Sequence, residues 1–516
     1  MNYNIKSVDN MSIDELIGQV IMVGIPGLKL DNKDLEFIEK YKIGNYILFS
    51  RNYDNTNQMK LLMKELYEYT SSITGSFPLV SIDQEGGMVV RLFKDVTFPA
   101  SPLTTSATLV EDAPYKTAEI IGKDMLKLGI NLNLAPCLEI NEELSNPLIN
   151  VRGYGASKEI VLRNASLFVK GLQESKVLSC IKHFPGAGSS TKDSHLELPV
   201  IEDSKEDLLN YNMYPFLHLL ESDALMSSHC VYKSFDELPS TLSKVLLTNM
   251  LREEFAFKGL IISDGMEMKA IADHYGIGEG CVMALNAGCD ILLLCHEYDE
   301  QKEAFENVKK AVVEGRISID LLKEKVERIN KAKEKVKEGL IKYFNNEQYI
   351  VIKEEHDLME QIVDESYTLI KGDEPYINNN TLILSANAKI ASIVEDEFDE
   401  RNLTNALKNN FPNNKVIKFE NDINFINKVF ENIDEYNNII IYSYDAYKDD
   451  IQKETINKLL NTNKEVFVIS LKGPIDMKYF NNLNNYSCLY EYTPNSIKTI
   501  IKQLKGIIKL QGRLPK

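Results

Sequence analysis

Residues 178–199 read LSCIKHFPGAGSSTKDSHLELP. The stretch opens as an apolar strand, Leu178–Ile181, and breaks at Pro185-Gly186. A small polar loop then leads to Asp193-Ser194-His195. Lys182, His183, Asp193 and His195 place four titratable groups within fourteen residues of a strand exit. A loop that only joins two elements has no need of that chemistry.

The same order, an apolar run followed by charge, recurs toward both ends of the chain. Strands are expected at Val20–Val23, Tyr46–Phe49, Leu79–Ile82, Asn131–Leu134, Leu178–Ile181, Ala224–Met226, Leu260–Ile262 and Ile291–Leu294. Segments of helical period lie between them, among them Asp34–Lys42, Pro114–Leu128, Lys158–Glu174, Lys205–Leu220, Leu242–Phe255 and Gln301–Glu314. Eight βα units in one run favour a closed (β/α)8 barrel over an open doubly wound sheet. Barrel sites sit at the C-terminal ends of the strands, and the charged residues here follow the apolar runs: Arg51, Asp83, Glu85, Glu139, Lys182, His183, His229 and Asp264. The polar ends should converge on one face.

A helix is expected from Ser318, with Leu322, Val326, Ile329 and Val336 on one face and Gly339 near its end. The barrel is assigned to residues 1–340, a connector to 341–356, and a smaller α/β sandwich with a largely parallel sheet to 357–516. The strands of that second domain are expected at Thr381–Leu384, Val416–Phe419, Ile439–Tyr442, Val466–Ser470 and Leu489–Tyr492. A length of 516 residues agrees with two or three domains.

With 44% hydrophobic and 26% charged residues, the composition is that of a globular protein in water. A net charge of -18 argues against nucleic acid or an anionic membrane as the main partner, since phosphates are held by an excess of Lys and Arg. No apolar run approaches the ~20 residues of a membrane helix, and the N-terminus lacks a signal-peptide pattern. The seven cysteines include no CxxC pair and read as reduced structural thiols, which points to the cytoplasm. No spacing of His and Cys suggests a metal site, and neither metal nor cofactor is expected.

The residues that carry chemistry each have a plainer reading beside the functional one. Asp264 follows an apolar run and precedes Gly265; taken alone, it fits a helix N-cap better than a site. Its neighbours reverse that. Asp193 and His195 suit a carboxylate that fixes an imidazole tautomer, although a solvated loop histidine has the same pattern. Lys182 and His183 at a buried strand end favour a site, because burying both costs several kcal/mol without polar partners. Asp83 and Arg91 bracket Gly86-Gly87, whose turn returns both side chains to one pocket, as a hydroxyl-binding pair or a structural ion pair. Arg152 lies on a Gly-rich loop. Glu85, Glu139 and His229 are expected to stand behind these groups.

Together the residues resemble the family 3 glycoside hydrolases, and within them the bacterial β-N-acetylglucosaminidase branch. The matching strings are ILFSRN (47–52), SIDQEGG (81–87), NLNLAP (131–136), VRGYG (151–155), KHFPGAG (182–188), DSHLELP (193–199), LPSTLS (238–243) and ISDGMEM (262–268). VISLKGPIDM (468–477), YTPNSI (492–497) and GRLP (512–515) resemble the family's second domain. By that resemblance Asp264 is the nucleophile, and His195 the acid/base with Asp193 as its dyad partner. Asp83, Arg91, Arg152, Lys182 and His183 hold the terminal sugar. The implied reaction is retaining exo-hydrolysis of terminal β-linked GlcNAc, from cell-wall GlcNAc–MurNAc fragments. A β-N-acetylglucosaminide phosphorylase and a non-catalytic sugar-binding protein are the alternatives. The chain departs from the family at Ala187 and Ser189 in a loop that usually reads GHGDT. It also departs at Met88, where Arg is usual, and at Glu139, where Asp is usual.

Overall fold

The computed structural model describes residues 3–144, 146, 149–186, 198–345, 349–387, 402–420, 422 and 424–516. Eight strands close into a parallel barrel: β1 (Ile21–Gly24), β2 (Asn45–Leu48), β3 (Leu79–Ile82), β4 (Leu132–Asn133), β5 (Leu178–Phe184), β6 (Ala224–Ser227), β7 (Leu260–Gly265) and β8 (Ile291–Leu294). They neighbour one another in chain order, and β1 pairs with both β2 and β8. Most strands are short runs of Ile, Leu, Val and Met buried on both faces, the pattern of a parallel sheet sheathed by helices. Strand β4 has only two residues, and side-chain hydrogen bonds support it: Asn131 Oδ1 accepts from the Val80 amide and Asn133 Oδ1 from the Gln84 amide.

The helices begin at polar caps. Ser157 caps Lys158–Glu174, Asn55 caps Thr56–Thr74 and Ser318 caps Ile319–Gly339, each accepting a backbone N–H in the first turn. Two expected helices differ. Lys205–Leu220 breaks into short pieces around Met213, next to Pro215, which has no N–H to donate; Leu208–Asn212 and Val245–Glu254 form wider π turns. The stretch expected as a connector is helical at both ends, with turns through Leu340–Phe344 and a helix at Lys353–Ser366.

The second domain is a six-stranded sheet between two helical layers. Its strands are β9 (Thr368–Lys371), β10 (Thr381–Ser385), β11 (Lys415–Lys418), β12 (Asn438–Ser443), β13 (Glu465–Ser470) and β14 (Asn485–Cys488), in the order β9-β14-β13-β12-β10-β11. All pairs are parallel except β9 with β14. The edge strand β9 was not expected. The run Leu489–Tyr492, expected as a strand, lies just beyond β14; its apolar side chains pack into a core shared with barrel residues Met88, Leu103, Leu144 and Val151. All seven cysteines are buried thiols. No helix among the described residues is long and apolar enough to cross a membrane.

Candidate active site

The β3–helix loop is built to return on itself. The Gln84 side chain accepts the Arg91 and Leu92 amides and donates to the Leu92 carbonyl, which closes the loop around Gly86-Gly87. Both glycines have positive φ, 105° and 60°, and a Cβ at either would collide with Ala100 or Ser101. The turn brings Arg91 Nη2 to 3.7 Å from Asp83 Oδ2, so the two bracketing residues do share one pocket.

Strand β5 runs three residues beyond its expected end, through Phe184. There it pairs with Ser227 of β6 and, through Lys182, with Cys137. The peptides Lys182–His183 and Phe184–Pro185 are cis. Lys182 points into the barrel mouth with its side chain only 3% exposed; Nζ lies 2.7 Å from Asp83 Oδ1 and 2.8 Å from Glu85 Oε1. Glu85 in turn takes a two-pronged grip from Arg152, Nε to Oε2 at 2.9 Å and Nη2 to Oε1 at 2.8 Å. A chain of alternating charge therefore runs Arg91–Asp83–Lys182–Glu85–Arg152.

Burial opposes the charges of Glu85, Lys182 and Arg152, and their partners overcome it. Burial alone would raise the Glu85 carboxyl, but Arg152 and Lys182 hold it well below the usual carboxylate range. Burial would lower the Lys182 ammonium, yet Asp83 and Glu85 push it above its ordinary value. Glu85, placed behind the site by sequence reasoning, is the hub that joins two of its cations. The signal was present in Asp83-Gln84-Glu85, whose alternation aims both carboxylates the same way while Gln84 faces the loop.

His183, the residue after Lys182, has a different carboxylate partner, Glu139. Its backbone N–H donates to Glu139 Oε1 at 2.8 Å, and its Nδ1 lies 2.7 Å from the same oxygen. The Cys137 thiol donates to Glu139 Oε2 at 2.6 Å. Burial works against the Glu139 charge, but His183 leads the groups that hold its carboxyl below the ordinary value. Glu139, where the sequence resemblance leads one to expect Asp, accepts from His183 twice.

Asp264 lies within β7, not after it. Its Oδ1 accepts the Gly265 amide at 2.8 Å, while the next helix starts only at Lys269 with Met268 as its N-cap, so the N-cap reading of Asp264 is overturned. The Gly265 carbonyl accepts from His229 Nε2 at 2.9 Å, and the other ring nitrogen, Nδ1, meets the Thr241 hydroxyl at 2.9 Å. A fully buried imidazole thus fixes the backbone next to Asp264. Asp83, just past the end of β3, and Asp264, near the end of β7, stand at the same C-terminal end of the barrel. Asp193 and His195, with Ala187 and Ser189, lie outside the described residues.

The second domain braces the same loops. Tyr492 N–H meets Met88 Sδ at 3.3 Å, Glu491 accepts from the Ser101 amide and the Thr104 hydroxyl, and the Ala156 amide donates to the Pro515 carbonyl. Gly473, at φ 84°, sits where a Cβ would lie 2.8 Å from Asn150 Oδ1, two residues from Arg152. Gly473→Ala is therefore expected to cost about 1–3 kcal/mol of stability, because φ 84° with ψ 168° is a backbone conformation essentially reserved for glycine. It should also raise KM about several-fold with less change in kcat, by displacing the Arg152 turn. Unchanged melting temperature and KM would show that this contact carries no strain into the site.

An eight-stranded parallel barrel whose mouth carries a carboxylate on β7 and a cradle of alternating cations and carboxylates is suited to holding a polar, hydroxyl-bearing ligand. The family model for the glycosyl hydrolase family 3 N terminal domain matches residues 12–332. Beta-hexosaminidase A of Pseudoalteromonas piscicida is 31% identical over 279 residues, 50% of this chain and 47% of that one, so the match spans about half of that relative's length. The beta-hexosaminidase of Photobacterium profundum is 31% identical over 299 residues, 57% of this chain and 86% of that one. A solved glycoside hydrolase family 3 beta-N-acetylglucosaminidase from Paenibacillus sp. str. FPU-7 superposes with a TM-score of 0.91 at 30% identity, covering 98% of each chain. The chain belongs to glycosyl hydrolase family 3.

Proposed function

We propose that the chain is a retaining exo-β-N-acetylglucosaminidase that releases terminal β-linked GlcNAc, with cell-wall GlcNAc–MurNAc fragments as substrate and the cytoplasm as its compartment. The observation that carries this reading is Asp264 at the tip of β7, beside the cradle of Asp83, Lys182, Glu85 and Arg152. Vicinal hydroxyls of one terminal sugar suit Asp83, Arg91, Arg152, Lys182 and His183, which offer donors and acceptors in a fixed array. The solved Paenibacillus relative, described as a beta-N-acetylglucosaminidase and matching both domains, supports the choice of sugar.

In this mechanism Asp264 attacks the anomeric carbon as the glycosidic bond breaks. His195, as imidazolium paired with Asp193, gives its proton to the leaving oxygen. The neutral imidazole then takes a proton from water, which attacks the glycosyl-enzyme and frees Asp264. An imidazolium takes the place of the second carboxyl group that retaining enzymes usually carry.

The test is hydrolysis of an aryl β-GlcNAc against the matching aryl β-glucoside, each with and without phosphate. Release of GlcNAc, unchanged by phosphate, is expected. A sugar 1-phosphate product would assign the phosphorylase reaction instead, and preference for the glucoside would remove the N-acetyl assignment. With aryl β-GlcNAc, turnover should fall on the acid side as Asp264 protonates and on the basic side as His195 loses its proton. A profile rising or falling steadily from about pH 4 to about pH 9 would exclude that pair of roles.

A further inference from the structure

We propose that Cys137, Glu139 and His183 form a binding site for a thiophilic divalent cation, cadmium or zinc, directly behind the barrel mouth. The thiol sulfur, a carboxylate oxygen and an imidazole nitrogen lie within 4.8 Å of one another. Sequence spacing gave no hint of this, because two of the donors come from the segment after β4 and the third from β5. The fold holds them in register. Cys137 is bridged to Lys182, and the Leu138 amide donates to the Lys182 carbonyl at 2.7 Å. In an extended segment residues two apart face the same way, so Cys137 and Glu139 both point at His183.

Protons now join the three groups: S–H to Oε2 at 2.6 Å and Nδ1–H to Oε1 at 2.7 Å. Zinc binds sulfur at about 2.3 Å and nitrogen or oxygen at about 2.0–2.2 Å in a tetrahedron, which sets donors roughly 3.3–3.6 Å apart. Opening each contact by roughly 1 Å or less, through rotation of the Glu139 side chain, makes that room. The exchange balances. The cation displaces the thiol proton, which leaves to solvent, and the imidazole proton moves from Nδ1 to Nε2. One proton is released per cation bound. His183 is the partly exposed member and provides the way in, and a water completes the tetrahedron. A soft cation is favoured over magnesium or calcium because one donor is a thiolate and one an imidazole.

Filling the site shifts the His183 ring away from Glu139 and fixes Nε2 as its hydrogen-bearing nitrogen. If His183 holds a sugar hydroxyl, as proposed above, the bound cation should weaken substrate binding. That consequence rests on the proposed function; the binding does not.

The experiment titrates the full chain with cadmium alone, in thiol-free, weakly buffered solution. Ultraviolet thiolate-to-cadmium charge-transfer absorbance and proton release are followed together. The expected result is one saturable equivalent, with the band and one proton released. Cys137→Ala and, should that variant fail to fold, Cys137→Ser should both lose the band, while Cys295→Ala, which removes the most exposed thiol, keeps it. No band in the parent chain, or an equal band without Cys137, overturns the proposal. In a second arm zinc should raise KM for an aryl β-GlcNAc about tenfold in the parent and not in the folded Cys137 variant. If the aryl glycoside is not a substrate, that arm fails while the cadmium band stands, so the two readings fail separately.

Discussion

Replacing Asp264 by alanine should lower kcat for an aryl β-GlcNAc by about 10³-fold or more, with the fold retained. The basis is chemical: without the carboxylate no glycosyl-enzyme forms, and the remaining groups give only binding and proton transfer. Asp264 is only partly buried at a strand tip, and its carboxylate accepts from the adjacent Gly265 amide, so its removal should leave the barrel core intact. Circular dichroism and the melting temperature should stay near those of the parent. A variant that turns over at the parent rate would remove Asp264 from the reaction. A variant that loses its fold would identify Asp264 as structural.

The second large effect concerns stability. Glu85→Ala should destabilise the protein by about 3–5 kcal/mol, because it strips the Arg152 fork of its carboxylate and Lys182 of one of two partners in a buried setting. Lys182 keeps Asp83, so Arg152 bears most of the loss. The sign with pH follows from the depressed Glu85 carboxyl. Its contribution is fully present above the unfolded-chain value of about 4.3 and is lost as pH falls through the much lower folded value. The parent chain should therefore lose denaturant stability steeply below about pH 4, and Glu85→Gln should flatten that slope. Denaturant midpoints from about pH 3 to about pH 7 check both points. A cost under about 1 kcal/mol for Glu85→Ala would mean that water already screens the pair.

The barrel was legible because its strands are apolar runs buried on both faces, and each is followed by charge. Leu79–Ile82 and Ile291–Leu294 fall where expected to the residue, five others shift or extend by one to three, and β4 is shorter by one residue at each end. The apolar run of β5 ends at Ile181 in the sequence, yet the strand continues through Phe184, because Asp83 and Glu85 meet the Lys182 ammonium and Glu139 accepts from the His183 backbone. In the second domain, hydrophobicity in Leu489–Tyr492 suggested a strand. That apolar surface instead covers the barrel, and the strand before it, Asn485–Cys488, is more polar. The cradle residues were read as a set, but Glu85 was not recognised as their centre. Pairing across about a hundred residues depends on barrel register, which periodicity does not encode.

The resemblance read from the sequence leads one to expect arginine at position 88; Met88 stands there instead, an unexplained gap in the pattern. In the folded protein its thioether is the seat for the Tyr492 amide, three residues after Glu85 and three before Arg91. An arginine there would put a cation where the neighbouring domain now rests an apolar face. The substitution thus records a division of labour between the two halves of the chain. The barrel carries the cradle, and the partner half packs against its loops, much as a keystone holds the ring of stones it does not belong to. A barrel cut free of it would keep every residue of the cradle and lose the surface that holds two of its loops in place.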